Sequence, residues 1–302
     1  PPRHSRVRAL ISRGFTPRRV GELEPTVRST ARELLAGIME RGGGDAIADY
    51  AAILPSVVMG RLIGLDDADV PVCRELTDRF MRQIGAHTAD GPAVQSYEIF
   101  QRIIDQRTDA PKDDLLSALI AAEVDGEHLT NDELLGFGWL LLVGGNDTTT
   151  NLIGNTIELL AAHPDQRRLL VDDPSLMGDA IDEVLRIASP TNSSPRITTR
   201  EVETPHGTID AESRVLLLWR AANLDEREFS DPERFDVRRR PSRQLALGHG
   251  PHYCMGASLT KLEARVAVEE WLAVMPEYSF TRAPEHFVSS LFYGWESLPV
   301  AP

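Results

Sequence analysis

The fold of this 302-residue chain is decided by one glycine-rich loop, Leu247-Gly248-His249-Gly250-Pro251-His252-Tyr253-Cys254-Met255-Gly256. Apolar residues recur at helical spacing from Leu259 onward, so Cys254 lies at or just before the N-terminus of a predicted helix. Unpaired backbone N–H groups and the helix dipole at that position favour a thiolate over a thiol. The glycines let the backbone pass close to a bulky group. A thiolate presented in this way is either a nucleophile or a ligand to one metal ion.

Several roles for Cys254 are open on its sequence context alone. Lone cysteines are often small buried apolar residues. A disulfide with Cys73, the other cysteine, is possible but uncommon in a chain with so few cysteines. His249 and His252 are too close in sequence to Cys254 for the spacing typical of zinc sites. No cysteine-hydrolase signature surrounds the residue, and ligation of haem iron by a thiolate is a further known arrangement.

The pattern Gly-x-Gly-x-His-x-Cys-x-Gly over residues 248–256 resembles the haem-ligand loop of the cytochrome P450 superfamily, in its soluble bacterial form. The family loop usually begins with Phe, whose ring shields the sulfur, and Leu247 stands at that position here. The resemblance implies that haem b is the cofactor and that Cys254 binds its iron. It also implies further haem contacts from other parts of the chain.

Those contacts are assigned residue by residue. His4 and Arg8, at i and i+4 in an arginine-rich opening segment that is otherwise typical of a solvated surface, match the helix that binds a haem propionate. Arg196, which taken alone is an ordinary surface residue, aligns with a propionate-binding arginine. The full set that the resemblance assigns to haem binding is His4, Arg8, Gly144, Arg196, Gly248, His252, Cys254 and Gly256.

A long helix is predicted over Asn131–Ala162, opened by a capping arrangement and interrupted in its middle by the run Val143–Thr150. The two glycines and three threonines of this run are poor helix formers. Either the helix breaks there and Asn146 or Asp147 caps a second helix, or threonine hydroxyls bond back to the preceding turn and bend it. The run also resembles the family's oxygen-binding motif. By that match Asp147 relays protons, and Thr148 holds the bound oxygen and its water.

Two further motifs are predicted to support the cysteine loop. Glu183-x-x-Arg186 reads on its own as a common surface ion pair of little value. It matches the family's Glu-x-x-Arg, and residues 231–235 match the later Pro-x-Arg-Phe. The resemblance therefore implies a structural triad of Glu183, Arg186 and Arg234.

The implied fold is mainly α with a minor β region, and the haem lies between the Asn131–Ala162 helix and the helix that starts at Met255. We expect one haem-thiolate domain over residues 1–302 whose N-terminal portion is incomplete, because the chain opens as though in mid-sequence. Other helices are predicted over Val20–Ile38, Asp45–Leu54, Val57–Leu65, Val70–Ile84, Ala93–Asp105, Asp114–Ala122 and Ser175–Ile187. Short strands are predicted over Ile197–Val202, Val215–Trp219, Tyr278–Thr281 and Val288–Val300.

Composition narrows the function classes. A formal net charge of −14 argues against non-specific nucleic-acid binding, which depends on neutralising phosphates. No run approaches the ~20 apolar residues that a membrane-spanning helix needs. Two cysteines and no visible signal peptide fit a reducing cytoplasm.

The resemblance implies monooxygenation: one atom of O2 enters a small, largely apolar organic substrate of secondary metabolism or catabolism, with electrons from a ferredoxin and its reductase. A basic loop of Arg238, Arg239, Arg240 and Arg243 is either a docking patch for that partner or a merely solvated segment. Oxidative coupling, desaturation and peroxide-driven oxidation stay open, as does a non-catalytic haem-binding or sensor protein. The predicted substrate pocket consists of Leu140, Val143, Ser193, Ser194, Leu291 and Phe292.

Overall fold

The computed structural model describes residues 2–12, 15–83 and 90–302, and α-helices make up most of it. They are α1 (Arg3–Ser12), α2 (Pro17–Gly21), α3 (Glu24–Glu40), α4 (Ile53–Ile63), α5 (Asp69–Gln83), α6 (Asp90–Asp109), α7 (Leu115–Ile120), α8 (Asn131–Gly145), α9 (Asp147–Ala162), α10 (Pro164–Asp172), α11 (Met177–Ile187), α12 (Trp219–Asn223) and α13 (Ala257–Val274). A π-helical turn spans Ile47–Ala51, and 3-10 turns span Pro174–Leu176 and Gly250–His252.

The strands are short, and every pairing among them is antiparallel. The strands are β1 (Gly44–Asp45), β2 (Ser193–Ile197), β3 (Val202–Thr204), β4 (Gly207–Ile209), β5 (Arg214–Leu218), β6 (Ser279–Phe280), β7 (Glu285–His286), β8 (Trp295–Ser297) and β9 (Pro299–Ala301). A three-stranded sheet has the order β1-β9-β6, and the other strands form the pairs β2-β5, β3-β4 and β7-β8. The predicted class, mainly α with a minor β region, is confirmed.

The core is centred on α13, which packs against α3, α9 and α11. Trp271 of α13 is fully buried, and its ring centroid lies 5.3 Å from that of Tyr50 and 5.5 Å from that of Tyr278. The Tyr50 hydroxyl donates a 2.7 Å hydrogen bond to the Ala267 carbonyl, so its polar end is satisfied inside the core. The helix that follows the cysteine loop is therefore fixed by the most deeply buried part of the protein.

Several predicted boundaries shift for local reasons. The predicted Asp45–Leu54 helix is strand β1 followed by the π-helical turn, because Asp45 accepts hydrogen bonds from the amides of Ile47 and Leu298. Pro55 lies inside α4, in the first turn, where a missing N–H removes no helical hydrogen bond.

Other predicted elements are shortened at their ends or are not formed. The predicted Ile197–Val202 strand is not formed: Ile197 is the last residue of β2, Val202 is the first of β3, and residues 198–201 connect the two. The last residue of the predicted Val70–Ile84 helix and most of the polar segment after it lie outside the described residues. Within the described ranges, no helix combines the length and apolar character needed to cross a bilayer.

Candidate active site

A cavity of about 850 Å³ lies where α1, α8, the start of α9, β2 and the cysteine loop meet. Most of the predicted haem and pocket residues line it. They are His4, Arg8, Leu140, Gly144, Thr148, Ser194, Arg196, Gly248, His252, Cys254 and Gly256. The predicted residues outside the lining are Val143, Asp147, Ser193, Leu291 and Phe292. The structure thus brings residues from both ends of the chain to one site.

The cysteine loop is closed by its own backbone hydrogen bonds. The amide of Cys254 donates to the carbonyl of Leu247 at 2.7 Å. Gly248 and Gly250 have φ angles of 75° and 66°, a conformation that side chains with a Cβ disfavour. The loop ends at Gly256, after which α13 begins at Ala257, so Cys254 stands just before a helix N-terminus as predicted.

The pKa of Cys254 shifts in the direction opposite to the expected one. Burial raises the pKa of the thiol, and this outweighs the opposing effects of the Gly256 amide and the Arg8 guanidinium. The protein environment alone therefore favours the thiol, because desolvation of the charged form exceeds the dipole stabilisation. A coordinated metal would deprotonate its thiol ligand outright, so a thiolate at Cys254 would depend on a bound metal.

The N-terminal helix reaches the cysteine loop. The Arg8 guanidinium donates a 2.6 Å hydrogen bond to the carbonyl of Tyr253, and the rings of His4 and His252 lie 4.3 Å apart between centroids. His4 Nδ1 is buried and has no hydrogen-bond partner among the described residues. Desolvation of the ring, followed by repulsion from His252, lowers the pKa of His4. An acceptor such as a propionate carboxylate would take hydrogen bonds from this polar cluster of His4, Arg8 and His252.

The opposite wall is formed by the junction between α8 and α9. A Cβ added at Gly144 would meet no atom within 4 Å, whereas one added at Gly145 would lie 2.8 Å from the sulfur of Met59. Gly144 therefore presents bare backbone to open cavity space. Together with Cys254 and the unpartnered His4 nitrogen, this shape and donor set fit a haem, which would supply the iron that binds O2.

The predicted Asn131–Ala162 helix is not continuous. It is interrupted at Asn146, whose φ and ψ are −78° and −70°, and the Asn146 side chain makes no cap hydrogen bond. The Thr148 hydroxyl donates to the carbonyl of Gly144 at 2.7 Å. The two local alternatives are therefore both realised in part: the helix breaks, and a threonine bonds back to the preceding turn. The capping box at Thr130 and Glu133 is confirmed.

Asp147 and Thr148 face different surroundings. Thr148 lines the cavity, whereas Asp147 lies behind the wall, towards α5. The Asp147 Oδ2 atom is buried without a hydrogen-bond partner among the residues that the structure describes. Burial, with a smaller contribution from the negative charge of Asp78, raises the pKa of Asp147 to about 7. The acid can therefore hold or release a proton near neutral pH.

The predicted triad contains the wrong second arginine. Glu183 and Arg186 are fully buried and paired by hydrogen bonds of 2.7 and 2.8 Å. The next cation on Glu183 is Arg239, with Nε 3.0 Å from Oε1. The side chain of Arg234 is 66% exposed and lies 3.8 Å from Asp236. Only the backbone carbonyl of Arg234 faces the pair, because the chain turns after Phe235 and brings Arg239 inward.

Three of the predicted pocket residues, Ser193, Leu291 and Phe292, do not line the cavity. Ser194 lines the cavity, but Ser193, next to it on β2, points the other way and donates to the Ser290 carbonyl. Leu291 contributes its backbone carbonyl to the amide of Asn192 and is not in the lining. The same holds for Phe292, whose backbone bridges to the chain beside β2.

Sequence analysis overlooked three polar residues in the wall between α9 and α13. The hydroxyls of Thr149 and Thr260 are 3.0 Å apart, and Glu263 is 1% exposed in the same wall. A signal existed, because Thr260 and Glu263, at i and i+3, share a helix face with the apolar residues Ala264, Ala267 and Trp271.

Comparison with known proteins agrees with this geometry. The family model for Cytochrome P450 matches residues 77–275. Cytochrome P450 130 of Mycobacterium tuberculosis is 39% identical over 92% of this chain and 70% of its own length. Vitamin D(3) 25-hydroxylase of Pseudonocardia autotrophica is 37% identical over 99% of this chain and 76% of its own. The crystal structure of CYP109E1 from Bacillus megaterium in complex with testosterone, at 30% identity, superposes with a TM-score of 0.94 over 100% of this chain and 84% of that one. The chain belongs to the cytochrome P450 family of haem-dependent monooxygenases.

Proposed function

We propose that the chain binds haem b and inserts one oxygen atom from O2 into a small, largely apolar organic substrate, by hydroxylation or epoxidation. One observation carries the proposal: the Cys254 loop and the Gly144–Thr149 junction are two walls of the same cavity. One wall offers a metal ligand and the other offers open space beside a hydroxyl. The buried apolar residues form one cluster from Leu10 to Val300, which supports a single haem-thiolate domain.

In this proposal Cys254 is the iron ligand, and the polar cluster around it holds the propionates. His4, Arg8 and His252 come from α1 and the cysteine loop, and Arg196 comes from β2. Arginine suits this task because its planar guanidinium binds carboxylates with two parallel hydrogen bonds. Gly144 lies in the wall opposite Cys254. A side chain at this position would project into the cavity space that O2 is proposed to occupy.

Asp147 and Thr148, at the start of α9, have different proposed roles in proton transfer. Asp147 is set behind the wall, where a pKa of about 7 suits a group that takes up and passes on protons. Thr148 stands in the wall, where its hydroxyl oxygen can accept a hydrogen bond from a water in the cavity. Their side chains leave α9 in different directions, so in this proposal Asp147 exchanges protons behind the wall and Thr148 acts within the cavity.

The substrate is proposed to be lipophilic. Leu140 is 58% exposed although it lines the cavity, and Val7, Ile11, Phe15 and Phe137 line the same space. Apolar walls with few polar groups are typical of small-molecule sites. A relative named as a vitamin D(3) hydroxylase and a structural neighbour bound to testosterone support this substrate class.

A ferredoxin and its reductase are the proposed electron source, in a reducing cytoplasm where Cys73 and Cys254 form no disulfide. Arg239 must be excluded from the predicted docking patch, because its guanidinium is paired with the buried Glu183 carboxylate. Arg240 and Arg243 have side chains that are 81% and 76% exposed, and Arg238 is exposed beside them. These residues form a surface that suits an acidic protein.

The test is the absorption spectrum of the dithionite-reduced protein under carbon monoxide, for the wild type, Cys254→Ser and Cys73→Ser. Cys73 is the matched control because it is also a free thiol and is buried within the core. We expect a strongly red-shifted Soret band in the wild type and in Cys73→Ser, and its loss in Cys254→Ser. A wild-type band at the position of histidine-ligated haem, or no haem at all, would overturn the proposal. Turnover with a ferredoxin system and O2 then distinguishes monooxygenation from peroxide-driven oxidation.

A further inference from the structure

A methionine is packed against the wall where O2 is proposed to bind. Met59 of α4 is 1% exposed, yet it lines the cavity together with Gly144 and Gly145. A Cβ added at Gly145 would lie 2.8 Å from the Met59 sulfur and 3.0 Å from its Cε atom. The thioether therefore packs directly against the glycine backbone at the end of α8, with no room to spare on that side.

Four other methionines of the chain provide a comparison. Met177 and Met275 are also 1% exposed, but they do not line the cavity. Met39 is 39% exposed and does not line it either. Met255 lines the cavity from the cysteine loop, on the wall that carries the proposed iron ligand. Met59 is therefore shielded from bulk solvent and borders the cavity on the side proposed for O2.

The chemistry of a thioether at this place follows from the proposed reaction. Peroxide converts the methionine side chain to its sulfoxide. When O2 takes up two electrons from the ferredoxin and two protons but no substrate is oxidised, it leaves as hydrogen peroxide. Transfer of one peroxide oxygen to the Met59 sulfur breaks the O–O bond, forms the S–O bond and releases one water. The sulfur supplies the two electrons for this step.

The sulfoxide does not fit where the thioether fits. Met59 belongs to the buried apolar cluster of the protein, and a polar oxygen buried there without a hydrogen-bond donor is unfavourable. The side that faces Gly145 is already closed. We expect the added oxygen to displace the Gly144–Thr149 junction between α8 and α9, because that junction forms the adjoining wall.

We propose that Met59 is a site of oxidative modification. Hydrogen peroxide formed in the cavity during turnover without product converts it to methionine sulfoxide, and the sulfoxide displaces the Gly144–Thr149 junction and inactivates the protein. The inference rests on the proposed monooxygenase function. Its consequence is that inactivation follows the amount of O2 wasted as peroxide and not the amount of product formed.

The first experiment locates the added oxygen by peptide mass spectrometry. The haem-loaded wild type is given a ferredoxin, its reductase, a reductant and O2 but no substrate, and catalase destroys any peroxide that leaves the protein. We expect a mass gain of one oxygen atom at Met59 before Met39, and before the equally buried Met177 and Met275. An unmodified Met59 after O2 has been consumed, or equal modification of Met59, Met177 and Met275, would overturn the proposal.

The second experiment adds hydrogen peroxide to the haem-loaded protein without catalase or reductant. An oxidant that arrives from the solution should modify the exposed Met39 first, Met59 next through the cavity, and Met177 and Met275 last. This experiment needs no turnover. If the wild type supplied with the redox system consumes no O2, the monooxygenase proposal fails, and the order under added peroxide still decides the inference. A Met59 that reacts as slowly as Met177 and Met275 would contradict it.

Met59→Leu tests the consequence of the modification, because leucine is similar in volume and has no sulfur. After turnover without substrate, the wild type should show a lower denaturation midpoint and weaker carbon monoxide binding, and Met59→Leu should keep both. Met177→Leu is the matched control and should lose them as the wild type does. Destruction of haem by peroxide affects all three proteins and therefore cannot produce this difference.

If Met59 only fills the gap beside Gly145, Met59→Leu and Met177→Leu will lose carbon monoxide binding equally, and the proposed inactivation is then wrong. The wild type alone decides the question if Met59→Leu fails to bind haem. The loss of carbon monoxide binding should then rise with the fraction of Met59 that carries the added oxygen. A loss that is unrelated to this fraction would overturn the proposal.

Discussion

The Arg239 guanidinium lies 3.0 Å from Glu183, on the carboxylate that also holds Arg186. Two cations therefore share one fully buried anion, and they come from different segments. Arg186 belongs to α11, whereas Arg239 belongs to the chain that leads into the cysteine loop. This contact fixes the start of that loop to α11. It also leaves the Arg239 side chain only 18% exposed, with its charge directed to Glu183 and away from a redox partner.

We expect Arg239→Ala to destabilise the protein by about 1–3 kcal/mol, less than the ~3–5 kcal/mol for breaking a fully buried pair, because Arg186 still neutralises Glu183. Arg234→Ala is the matched control. Its side chain is 66% exposed and weakly paired, so its effect should stay within about 0.5 kcal/mol. Chemical denaturation of the haem-loaded variants measures both. Equal losses would contradict the assignment of Arg239 to the buried pair.

Because the pKa of Asp147 is raised, we expect the free energy of unfolding to depend on pH. Its pKa rises from 3.8 in the unfolded chain to about 7 in the folded protein. The native state thus retains a proton that the unfolded state has lost, and stability falls as pH rises from about 4 to 7. The groups that act on it from α5 are Asp78, which raises the pKa, and Arg74, which lowers it.

Asp147→Asn removes this titration. We expect the variant to be more stable than the wild type at pH 8, by up to about 4 kcal/mol, and equally stable near pH 3. Denaturation midpoints across this range provide the measurement. Asp109→Asn, at an exposed position on α6, is the control and should follow the wild-type profile. A wild-type curve parallel to that of Asp147→Asn would show that Asp147 ionises normally.

The elements that depend on local pattern are the ones that sequence predicts well. Helices with a sustained 3–4 apolar spacing, such as α3, lie within a few residues of the predicted bounds. The capping box at Thr130 follows from side chains three residues apart and needs no tertiary context. The spacing of glycine, histidine and cysteine in the cysteine loop is highly specific, so the amino-acid sequence alone predicts Cys254 as the haem ligand, and the structure confirms its place just before α13.

The predictions that fail depend on contacts between distant segments. Strand β1 is formed because it pairs with β9, roughly 250 residues later, and no local signal at Gly44–Asp45 indicates that pairing. Arg239 and Arg234 are equally plausible by composition, and only the path of the chain after Phe235 selects between them. The direction of Ser193 and Ser194 depends on which face of β2 meets the cavity. The pKa of Cys254 depends on burial, which the loop sequence does not reveal.

We expect alanine substitutions at the two glycines that end α8, Gly144 and Gly145, to have opposite effects on stability. Gly144→Ala should leave stability unchanged or raise it by up to about 1 kcal/mol, as Gly to Ala does in a helix. The new methyl group would project into open cavity space, so binding of carbon monoxide to the reduced protein should weaken. Spectroscopic titration and denaturation measure the two effects separately.

Gly145→Ala should instead cost about 1–3 kcal/mol, because its Cβ would lie 2.8 Å from the Met59 sulfur. The double variant with Met59→Ala removes the overlapping side chain. It should therefore be more stable than the sum of the two single changes predicts, since the residues are in contact. Strict additivity would mean that Met59 does not limit the space at Gly145.

We expect the exposed arginines of the loop before Cys254 to affect the rate at which a ferredoxin reduces the protein. Arg240→Glu should slow reduction by a ferredoxin system at low salt, because reversing a charge at a docking surface opposes association with an acidic partner. The effect should shrink at high ionic strength, where exposed charges are screened. Substrate affinity should not change, since Arg240 pairs with Asp179 and does not line the cavity.

Arg282→Glu is the matched control, because Arg282 is also exposed and also lies beside an acid, Glu285. If both variants slow reduction equally, only overall charge matters and the patch has no specific role. If neither does, the loop before the cysteine is a solvated segment. A rate reduced by Arg240→Glu alone, with a difference from the wild type that shrinks at high ionic strength, would place the redox partner against the loop that leads from Arg239 to Cys254. Arg239→Glu cannot serve in this test, because it would set a second negative charge against the buried Glu183.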